Sequence, residues 1–564
     1  MFLLLASTPS GAAHARLGCT AVNDATIPGT ANTGSGGTLP LPDTVNGLPR
    51  TPARAAELPR FPSPPAPLAQ IAQLQRFLAL ATTSTEHEPP IRVLFYGQSI
   101  IFQWWSQFAD ELRRQYPTRS WVFENRSVGG HLAPFLLKTA EADVYPFQPD
   151  LLVFHEYDDS AGPWESYRAF LDRVRERTCA EILMVGNHIA SYDALDEGSR
   201  TNGVPMNLWP GGCAVDAVYL PAIAGRVGAC WADIRTPWKH YLLAHGLDPA
   251  LLRLDNVHLN DAGIQFMIQL LRPYVEPTVF TPRIDPYGGG RVTRIPVQGR
   301  SEIGFQGNRV LLATATGDTS SVACLVDGQK PSALRKLYVH GQTSSWPDTY
   351  VPALLKVESE AVPAVEDWTL TVDKILGPQV FTFHVSGSVT GPDGSGRSDL
   401  DFTSASGRVR VLSADWYWQA PRFTGQLWPG FEVRWTTQFF GSDVVTTGGA
   451  WRWVEVANGL ADGPHTLRLE LRSGTREGFP YLLVYHPAGS EAGGAPDRLV
   501  RYLHRESQML VRWPVQPGSL GSASTDLEAW QAVDAPAIQF GRGQVEVGLQ
   551  GARGFFAVRP EPAP

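Results

Sequence analysis

The stretch IRVLFYGQSI, residues 91–100, decides how the rest of the chain is interpreted. Its first six residues are mostly apolar and β-prone, which predicts a buried strand inside a parallel sheet. Gly97 ends that strand, Ser99 follows at once, and a helical pattern begins within a few residues. Open α/β sheets place their chemistry at the carboxyl ends of such strands, where a helix N-terminus also favours negative charge. Serine is equally a preferred helix N-cap residue, so a purely structural role is the alternative.

Composition limits the kind of protein this can be. A chain of 564 residues is too long for one ordinary domain. Charged residues make up only 18%, whereas glycine, proline and tryptophan number 54, 46 and 17, which favours an extracellular β-rich protein. The net charge of −8 gives no basic field, so we expect no nucleic-acid partner. The five cysteines include no Cys-x-x-Cys pair, which argues against a thiolate zinc site and leaves partial pairing open for Cys179, Cys213, Cys230 and Cys324.

The N-terminal sequence MFLLLASTPSGAA, residues 1–13, looks like the end of a secretory signal that lacks a basic region. It predicts a secreted, periplasmic or extracellular location. No later segment offers the roughly 18 uncharged apolar residues of a membrane span, so no integral membrane segment is expected. We therefore interpret residues 1–67 as a signal-like segment and an extended arm. Residues 68–80 have helical spacing and predict a helix that leads into the sheet.

From residue 68 to residue 280, predicted strands alternate with predicted helices. This alternation favours a parallel sheet covered by helices on both faces. The predicted strands are residues 91–96, 121–127, 150–157, 181–187 and 229–234.

Besides the Ser99 loop, two further loops carry residues that suit catalysis or ligand binding. Gly129 and Gly130 follow the second strand and Asn125, and paired glycines let backbone N–H groups approach a ligand, although a tight turn is the alternative. Asp255 and His258 stand three residues apart before the last helix. That spacing lets the carboxylate hold the imidazole in one tautomer, although Asp-x-x-His pairs also cap helices.

In order and spacing, these loops resemble the sequence blocks of the GDSL or SGNH hydrolase family, over residues 68–280. The resemblance implies a flavodoxin-like three-layer α/β/α domain. It also implies that Ser99 is the nucleophile, that His258 is the base, and that Asp255 orients His258. The backbone N–H groups of Ser99 and Gly130 would then form the oxyanion hole. A mechanism of this kind needs no metal and no cofactor, and we expect neither.

The sequence departs from the family pattern at two places. Gln98 stands where an aspartate usually precedes the serine, which leaves the nucleophile intact. The third block usually supplies an asparagine donor to the oxyanion, but here the chain has His155 followed by EYDD, residues 156–159. One lost donor costs about 3–4 kcal/mol in other serine hydrolases. A protonated Asp158 or Asp159, or Asn187 after the next strand, is a candidate replacement or substrate contact. His155 with Glu156 suggests a metal site only weakly, because no third ligand stands at a suggestive spacing.

Past residue 280, short alternating runs separated by turn residues predict β-sandwiches. We expect a sandwich over 281–415 and a second one, or a continuation of the first, over 416–500. Residues 391–394, GPDG, predict one of the turns. The phrase GPHTL, residues 463–467, resembles the last hairpin of jelly-roll modules attached to carbohydrate-active enzymes. Residues 501–564 resemble a small β-module of secreted bacterial proteins, with an ordinary β-appendage as the alternative.

Closely spaced tryptophans occur at WYW, residues 416–418, and at WRW, residues 451–453. On a strand, alternate residues share a face, so each pair suits either a sugar-binding surface or core packing, and we favour core packing.

Together these features predict a secreted serine esterase with no nucleic-acid partner. The expected substrate is a polysaccharide or oligosaccharide that carries acetyl or other small acyl esters. The enzymatic alternative is a lipid or short-chain esterase. An apolar lid near the site would favour a lipid esterase, and the loop 190–212 is too polar to suggest one. The non-enzymatic alternative is a glycan-binding protein on an impaired hydrolase domain. The oligomeric state is not indicated by the sequence.

Overall fold

The computed structural model describes residues 58–82, 87–129, 133–155, 165–189, 216, 220–255, 257–276, 284–344, 352–417 and 427–487, together with the backbone of short strands near both ends of the chain. It divides into two compact units. The larger contains Pro59–Val185 and Leu252–Ser490, and the smaller contains Met1–Leu58, Gly186–Leu251 and Glu491–Pro564.

The larger unit begins with the α/β part of the chain, whose elements alternate as predicted. Its helices are α1 (Leu68–Ile71), α2 (Gln75–Thr82), α3 (Ser99–Gln115), α4 (Ala133–Asp143), α5 (Glu165–Arg177) and α6 (Asp261–Val275). Its strands are β1 (Ile91–Gly97), β2 (Trp121–Asn125), β3 (Leu151–His155) and β4 (Glu181–Val185). These four strands lie parallel in the order β2-β1-β3-β4. The order matches the start of a flavodoxin-like sheet.

Side-chain alternation in β1 explains why helices cover both faces of the sheet. Successive residues of a strand point to opposite faces. Phe95 packs edge-on against Trp104 and Phe108 of α3. Its neighbour Tyr96 packs against Phe170 of α5, with the rings tilted, and donates its hydroxyl hydrogen to the Leu136 carbonyl of α4, at 2.8 Å. Helix α3 therefore lies on one face, and α4 and α5 lie on the other.

The predicted fold class, an α/β domain followed by antiparallel β-sheets, is confirmed. The helix expected over residues 68–80 is present as α1 and α2, which one 3₁₀ turn at Ala72–Leu74 joins. No helix within the described ranges is long and apolar enough to cross a bilayer.

The β-rich half of the larger unit contains one sandwich into which another set of strands is inserted. One sheet of this sandwich has the order Glu302–Gln306, Pro464–Ser473, Ser321–Val326, Val444–Thr446. The other has the order Arg452–Asn458, Arg309–Thr314, Tyr481–Tyr485, Val292–Pro296, Gly288–Gly289. Every second residue of Glu302–Gln306 and of Ser321–Val326 is buried, as expected for a sheet with one face on a core.

In sequence, the inserted strands follow Ser321–Val326 and precede Val444–Thr446, and they form a sheet of their own. Its order is Tyr338–His340, Glu432–Phe439, Asp367–Gly377, Val380–Gly387, Gly391–Arg397. Two short pairs accompany it, Ala353–Leu354 with Trp416–Tyr417 and Phe402–Thr403 with Arg410–Val411. The boundary predicted near residue 415 thus falls beside a strand that pairs back with Ala353–Leu354.

One local expectation in this region differs from the structure. The predicted turn at residues 391–394 is part of the strand Gly391–Arg397, and the turn lies just before it, at residues 388–390. Trp416 is 7% exposed and belongs to the core of the inserted sheet, whereas Trp418 lies outside the described residues. Trp453 donates its indole hydrogen to the His87 carbonyl at 2.8 Å, and Trp451 stacks on the His87 ring. These tryptophans therefore pack against the protein itself.

The smaller unit has helices at Leu220–Val227 and Arg235–Ala244, a strand at Cys230–Ala232, and a short hairpin of Thr44–Val45 with Leu48–Pro49. Its C-terminal residues form two antiparallel sheets. One has the order Arg498–Leu503, Arg553–Pro560, Ser519–Ser524, Gln531–Ala532, and the other has the order Gln508–Pro514, Gln544–Gln550, Ile538–Phe540.

A polar cleft of about 660 Å³ opens in the larger unit between the α/β part and both sets of β-strands. Asp143, at the end of α4, lines the cleft and is 2% exposed. Burial raises the pKa of this carboxyl group to about 7, and the nearby Arg126 opposes that shift only in part. The folded protein therefore holds Asp143 in its neutral form at acidic pH.

This burial predicts a pH-dependent stability that Asp143→Asn removes. An aspartate in the unfolded chain titrates near pH ~4, so between pH ~4 and ~7 only the unfolded state ionises and the wild type loses stability as pH rises. Asparagine does not ionise, so the melting temperature of the variant is expected to gain on the wild type over that window and then level off. Melting curves at pH 4.5, 6 and 8 measure this. Asp110→Asn on the exposed face of α3 is the control, and equal pH dependence of wild type and Asp143→Asn would contradict the prediction.

Candidate active site

Ser99 occupies the first turn of α3, immediately after the central strand β1. Gln98 is the N-cap residue of α3, with extended backbone, and Ser99 is the first helical residue. The alternative interpretation that Ser99 caps this helix is therefore wrong. Because the first N–H groups of a helix have no partner within it, the Ser99 N–H faces the region beyond the helix end.

Gly97 allows this turn because nothing larger fits there. Its φ is +141°, which side chains with a Cβ rarely adopt. A Cβ at this position would lie 1.8 Å from the carbonyl oxygen of His155, at the end of β3. The parallel register places Gly97 opposite His155, so the ends of β1 and β3 lie side by side two residues before Ser99.

The segment from Asp255 to His258 folds as a closed turn around the aspartate. Asp255 Oδ1 accepts hydrogen bonds from the backbone N–H groups of Val257 and His258, both at 2.7 Å. Asp255 Oδ2 lies 2.7 Å from His258 Nδ1. Burial opposes ionisation of this carboxyl group, but these three hydrogen bonds outweigh it and hold the pKa of Asp255 below its usual value. The carboxylate therefore stays charged and fixes the orientation of the ring.

The tertiary fold brings this turn to Ser99 across 159 residues of chain. His258 Nε2 lies 2.9 Å from Ser99 Oγ, within hydrogen-bonding distance of a base and a nucleophile. With Nδ1 engaged by Asp255, the imidazole presents Nε2 as the acceptor for the hydroxyl proton. The described arrangement can thus raise the nucleophilicity of Ser99 and store its proton on His258.

The loop after β2 approaches Ser99 through Gly129. Asn125 Oδ1 accepts from the backbone N–H and the hydroxyl of Ser127, at 3.1 and 2.6 Å, which shapes the turn. Val128 N–H donates to the Gly97 carbonyl at 2.8 Å, which ties the loop to the end of β1. A Cβ placed on Gly129 would lie 3.6 Å from Ser99 Cβ. The paired glycines predicted from the sequence therefore begin beside the nucleophile candidate.

The remaining predicted site residues stay predictions. Gly130, Asp158 and Asp159 lie outside the described residues. Asn187 belongs to the smaller unit, where its side-chain amide donates to both carboxylate oxygens of Asp216, at 3.3 and 3.1 Å. Burial raises the pKa of Asp216 to about 6, although Arg235 and Asn187 favour its charged form.

One residue of the site was missed by sequence reasoning. Gln103 of α3 makes two hydrogen bonds to the backbone of Leu259, the residue after His258. Its spacing could have indicated this role, because Gln103 stands four residues after Ser99 and therefore shares a face of α3 with it.

Among the described residues, no three His, Cys, Asp or Glu side chains cluster in a way that could hold a metal ion. Cys179 and Cys324 are buried thiols within the same ranges.

Comparison with known proteins found likenesses in solved structures alone. No family model and no curated protein matches the chain. A two-domain esterase active on acetylated mannans is 11% identical over 75% of this chain and 96% of its own, with a TM-score of 0.30. An acetylxylan esterase from Geobacillus stearothermophilus is 17% identical over 34% of this chain and 96% of its own, with a TM-score of 0.27. A protein assigned as a GDSL-like lipase from Parabacteroides merdae is 15% identical over 35% of this chain and 100% of its own, with a TM-score of 0.28.

The three structures named above are thus two esterases and a GDSL-like lipase, the kind of protein that the sequence motifs resemble. At such low identities and TM-scores these likenesses carry no argument about chemistry. The functional proposal rests on the side chains of the site.

Proposed function

We propose that this protein is a serine carboxylic ester hydrolase that removes acetyl or similar small acyl groups from a polysaccharide or oligosaccharide. The observation that carries the proposal is the continuous contact from Asp255 through His258 to Ser99, at 2.7 and 2.9 Å. These are the residue types and distances that general-base activation of a serine requires.

The reaction follows from these contacts. Ser99 Oγ attacks the ester carbonyl carbon while its proton passes to His258 Nε2, and Asp255 stabilises the imidazolium that forms. The imidazolium then gives the proton to the alcohol oxygen as the ester C–O bond breaks, leaving an acyl group on Ser99. Water attacks that acyl-enzyme with His258 again as the base, and the imidazolium returns the proton to Ser99 Oγ as the bond to the acyl group breaks and the carboxylic acid leaves.

The negative oxygen of each tetrahedral intermediate needs preorganised donors. The Ser99 N–H at the start of α3 supplies one, in the positive field of a 17-residue helix. Gly130 remains the predicted second donor, and the position of Gly129 beside Ser99 supports that assignment. Asp158 and Asp159 stay candidates for the third donor, whereas the Asn187 amide already donates to both carboxylate oxygens of Asp216.

Two features favour a polymer side group as the substrate. The site is open to solvent, because the side chains of His258 and Asp255 are 33% and 53% exposed. Phe102 and Leu254, which flank the site residues along the chain, are 58% and 74% exposed and can pack on an acyl group or a sugar ring. The attached β-sheets support a carbohydrate substrate only by association. Secretion, suggested by residues 1–13, stays a prediction.

The test measures hydrolysis by the purified full-length chain. The substrates are p-nitrophenyl acetate, butyrate and octanoate, together with acetylated xylo- and manno-oligosaccharides assayed for free acetate. We expect the acetyl esters to give the highest kcat/KM. A preference for octanoate would favour the lipid-esterase alternative. No hydrolysis of any short ester, together with no labelling of Ser99 by a fluorophosphonate, would sink the esterase proposal and leave the glycan-binding alternative.

Asp255→Asn should impair catalysis without unfolding the turn. The asparagine oxygen can still accept from Val257 and His258 N–H, but its NH₂ group would face His258 Nδ1 and favour the wrong tautomer. Loss of the equivalent carboxylate in a buried triad costs about 10⁴-fold in kcat, and we expect about 10²- to 10⁴-fold at this more exposed site.

The measurement is kcat for p-nitrophenyl acetate at pH 8. Asp285→Asn is the matched control, because Asp285 accepts from the Tyr287 backbone N–H in a comparable turn that holds no histidine. A kcat within threefold of the wild type for Asp255→Asn would remove Asp255 from the mechanism.

A further inference from the structure

Gln103 joins the two segments that carry the candidate nucleophile and base. Its Nε2 donates to the Leu259 carbonyl oxygen at 2.9 Å, and its Oε1 accepts from the Leu259 N–H at 2.9 Å. One planar amide thereby satisfies both backbone groups of the residue that follows His258. Such a paired contact restrains direction as well as distance, since neither bond can lengthen without bending the other.

Backbone hydrogen bonds within residues 252–260 close the turn that carries His258. Leu254 N–H donates to the His258 carbonyl at 2.7 Å, and Asn260 N–H donates to the Leu252 carbonyl at 3.2 Å. Asn260 also caps α6, because its side chain accepts from Gly263 N–H at 3.0 Å. These bonds fix the shape of the turn, but they do not attach it to α3.

Besides the Ser99–His258 contact itself, described side chains tie α3 to the turn and to α6, which follows the turn. Arg272 of α6 forms an ion pair with Glu111 of α3 at 2.8 Å, eight residues further along α3 than Gln103. Gln103 makes the attachment at the end where Ser99 lies. Leu259 itself is 1% exposed and lies in the core, so Gln103 holds a buried residue that directly follows His258.

We propose that Gln103 is a positioning residue that sets the distance and angle between Ser99 Oγ and His258 Nε2. The inference rests on the proposed function and deepens it. Ser99 and Gln103 stand on one face of a single rigid helix, and His258 and Leu259 are consecutive in one closed turn. The two hydrogen bonds of the Gln103 amide therefore fix the nucleophile relative to the base, because Gln103 is one helical turn from Ser99 and Leu259 directly follows His258.

Gln103→Met tests this by keeping the length of the side chain and removing both hydrogen bonds. A displacement of about 1 Å between reacting groups can cost about 10²-fold, so we expect kcat for p-nitrophenyl acetate to fall about 10- to 100-fold with KM within twofold. Gln107→Met is the matched control, because Gln107 is an exposed glutamine one turn further along the same helix.

Fluorophosphonate labelling separates mispositioning from damage to the fold. Mispositioning lowers the rate constant of labelling while the final stoichiometry stays at one label per chain, whereas misfolding lowers the stoichiometry. A Gln103→Met protein that labels at the wild-type rate would overturn the inference and leave the esterase proposal standing. A wild type that neither hydrolyses esters nor labels would overturn both.

Gln103→Glu gives a second readout should the methionine variant fold poorly. An ionised glutamate can accept from Leu259 N–H but repels the Leu259 carbonyl, whereas a protonated glutamate can make both bonds. At pH 8 the glutamate is ionised, so labelling of Gln103→Glu is expected to be slower than that of the wild type. A labelling rate at pH 8 equal to that of the wild type would contradict the positioning role.

Discussion

Replacing Ser99 by alanine is expected to lower kcat for p-nitrophenyl acetate by about 10³- to 10⁶-fold, because alanine has no hydroxyl with which to form the acyl-enzyme. The 2.9 Å contact between Ser99 Oγ and His258 Nε2 is the reason for this expectation. The variant should also lose all fluorophosphonate labelling.

Ser99→Ala should leave the fold nearly unchanged. Ser99 is not the cap of α3, and alanine is a favourable residue inside a helix, so the melting temperature should stay within a few degrees of the wild type. Ser106→Ala is the matched control, since Ser106 is an exposed serine of the same helix whose hydroxyl contacts only its neighbour Gln107 among the described residues. If Ser99→Ala kept a tenth of the wild-type activity, Ser99 would not be the nucleophile.

The second large effect is expected from Gly97→Ala. A methyl group at this position would overlap the His155 carbonyl oxygen, at 1.8 Å, and the φ of +141° is itself unfavourable for alanine. The contact involves backbone in the centre of the sheet, so it cannot be relieved by rotating a side chain. We expect a loss of about 3 kcal/mol or more in the free energy of unfolding, and a low yield of folded protein.

Any folded Gly97→Ala protein should also label slowly with a fluorophosphonate, because the strand end that places Ser99 must shift. The control is Gly304→Ala, where a Cβ meets no atom within 4 Å and the residue is exposed on a strand. Thermal melting and labelling of both variants measure the two effects. A Gly97→Ala protein as stable and as reactive as Gly304→Ala would contradict the close approach of β1 and β3.

Local patterns in the sequence were sufficient to predict several features of the fold and of the candidate site. The buried strand, the glycine after it and the following helix are neighbours in the chain, so their order fixes Ser99 at a strand end. The Asp255 turn is equally local, because its hydrogen bonds join residues two or three positions apart. The alternation of strands and helices likewise predicted the parallel sheet.

Other features depend on which distant segments pack together. The contact between His258 and Ser99 spans 159 residues, and the Gln103 contacts with Leu259 span 156. The insertion of one set of β-strands into another is not predictable from alternating residues alone. Alternation identifies a strand but not its partner, and Ser321–Val326 pairs with the distant Pro464–Ser473.

The sequence by itself determined the candidate nucleophile and the aspartate-held imidazole, since each depends on hydrogen bonds or strand ends within a few residues. Only the tertiary structure decided that the two meet and that Gln103 ties them together. The physical reason is that local geometry follows from chain spacing, whereas long-range contacts follow from the packing of α3 against α6 and of β1 beside β3.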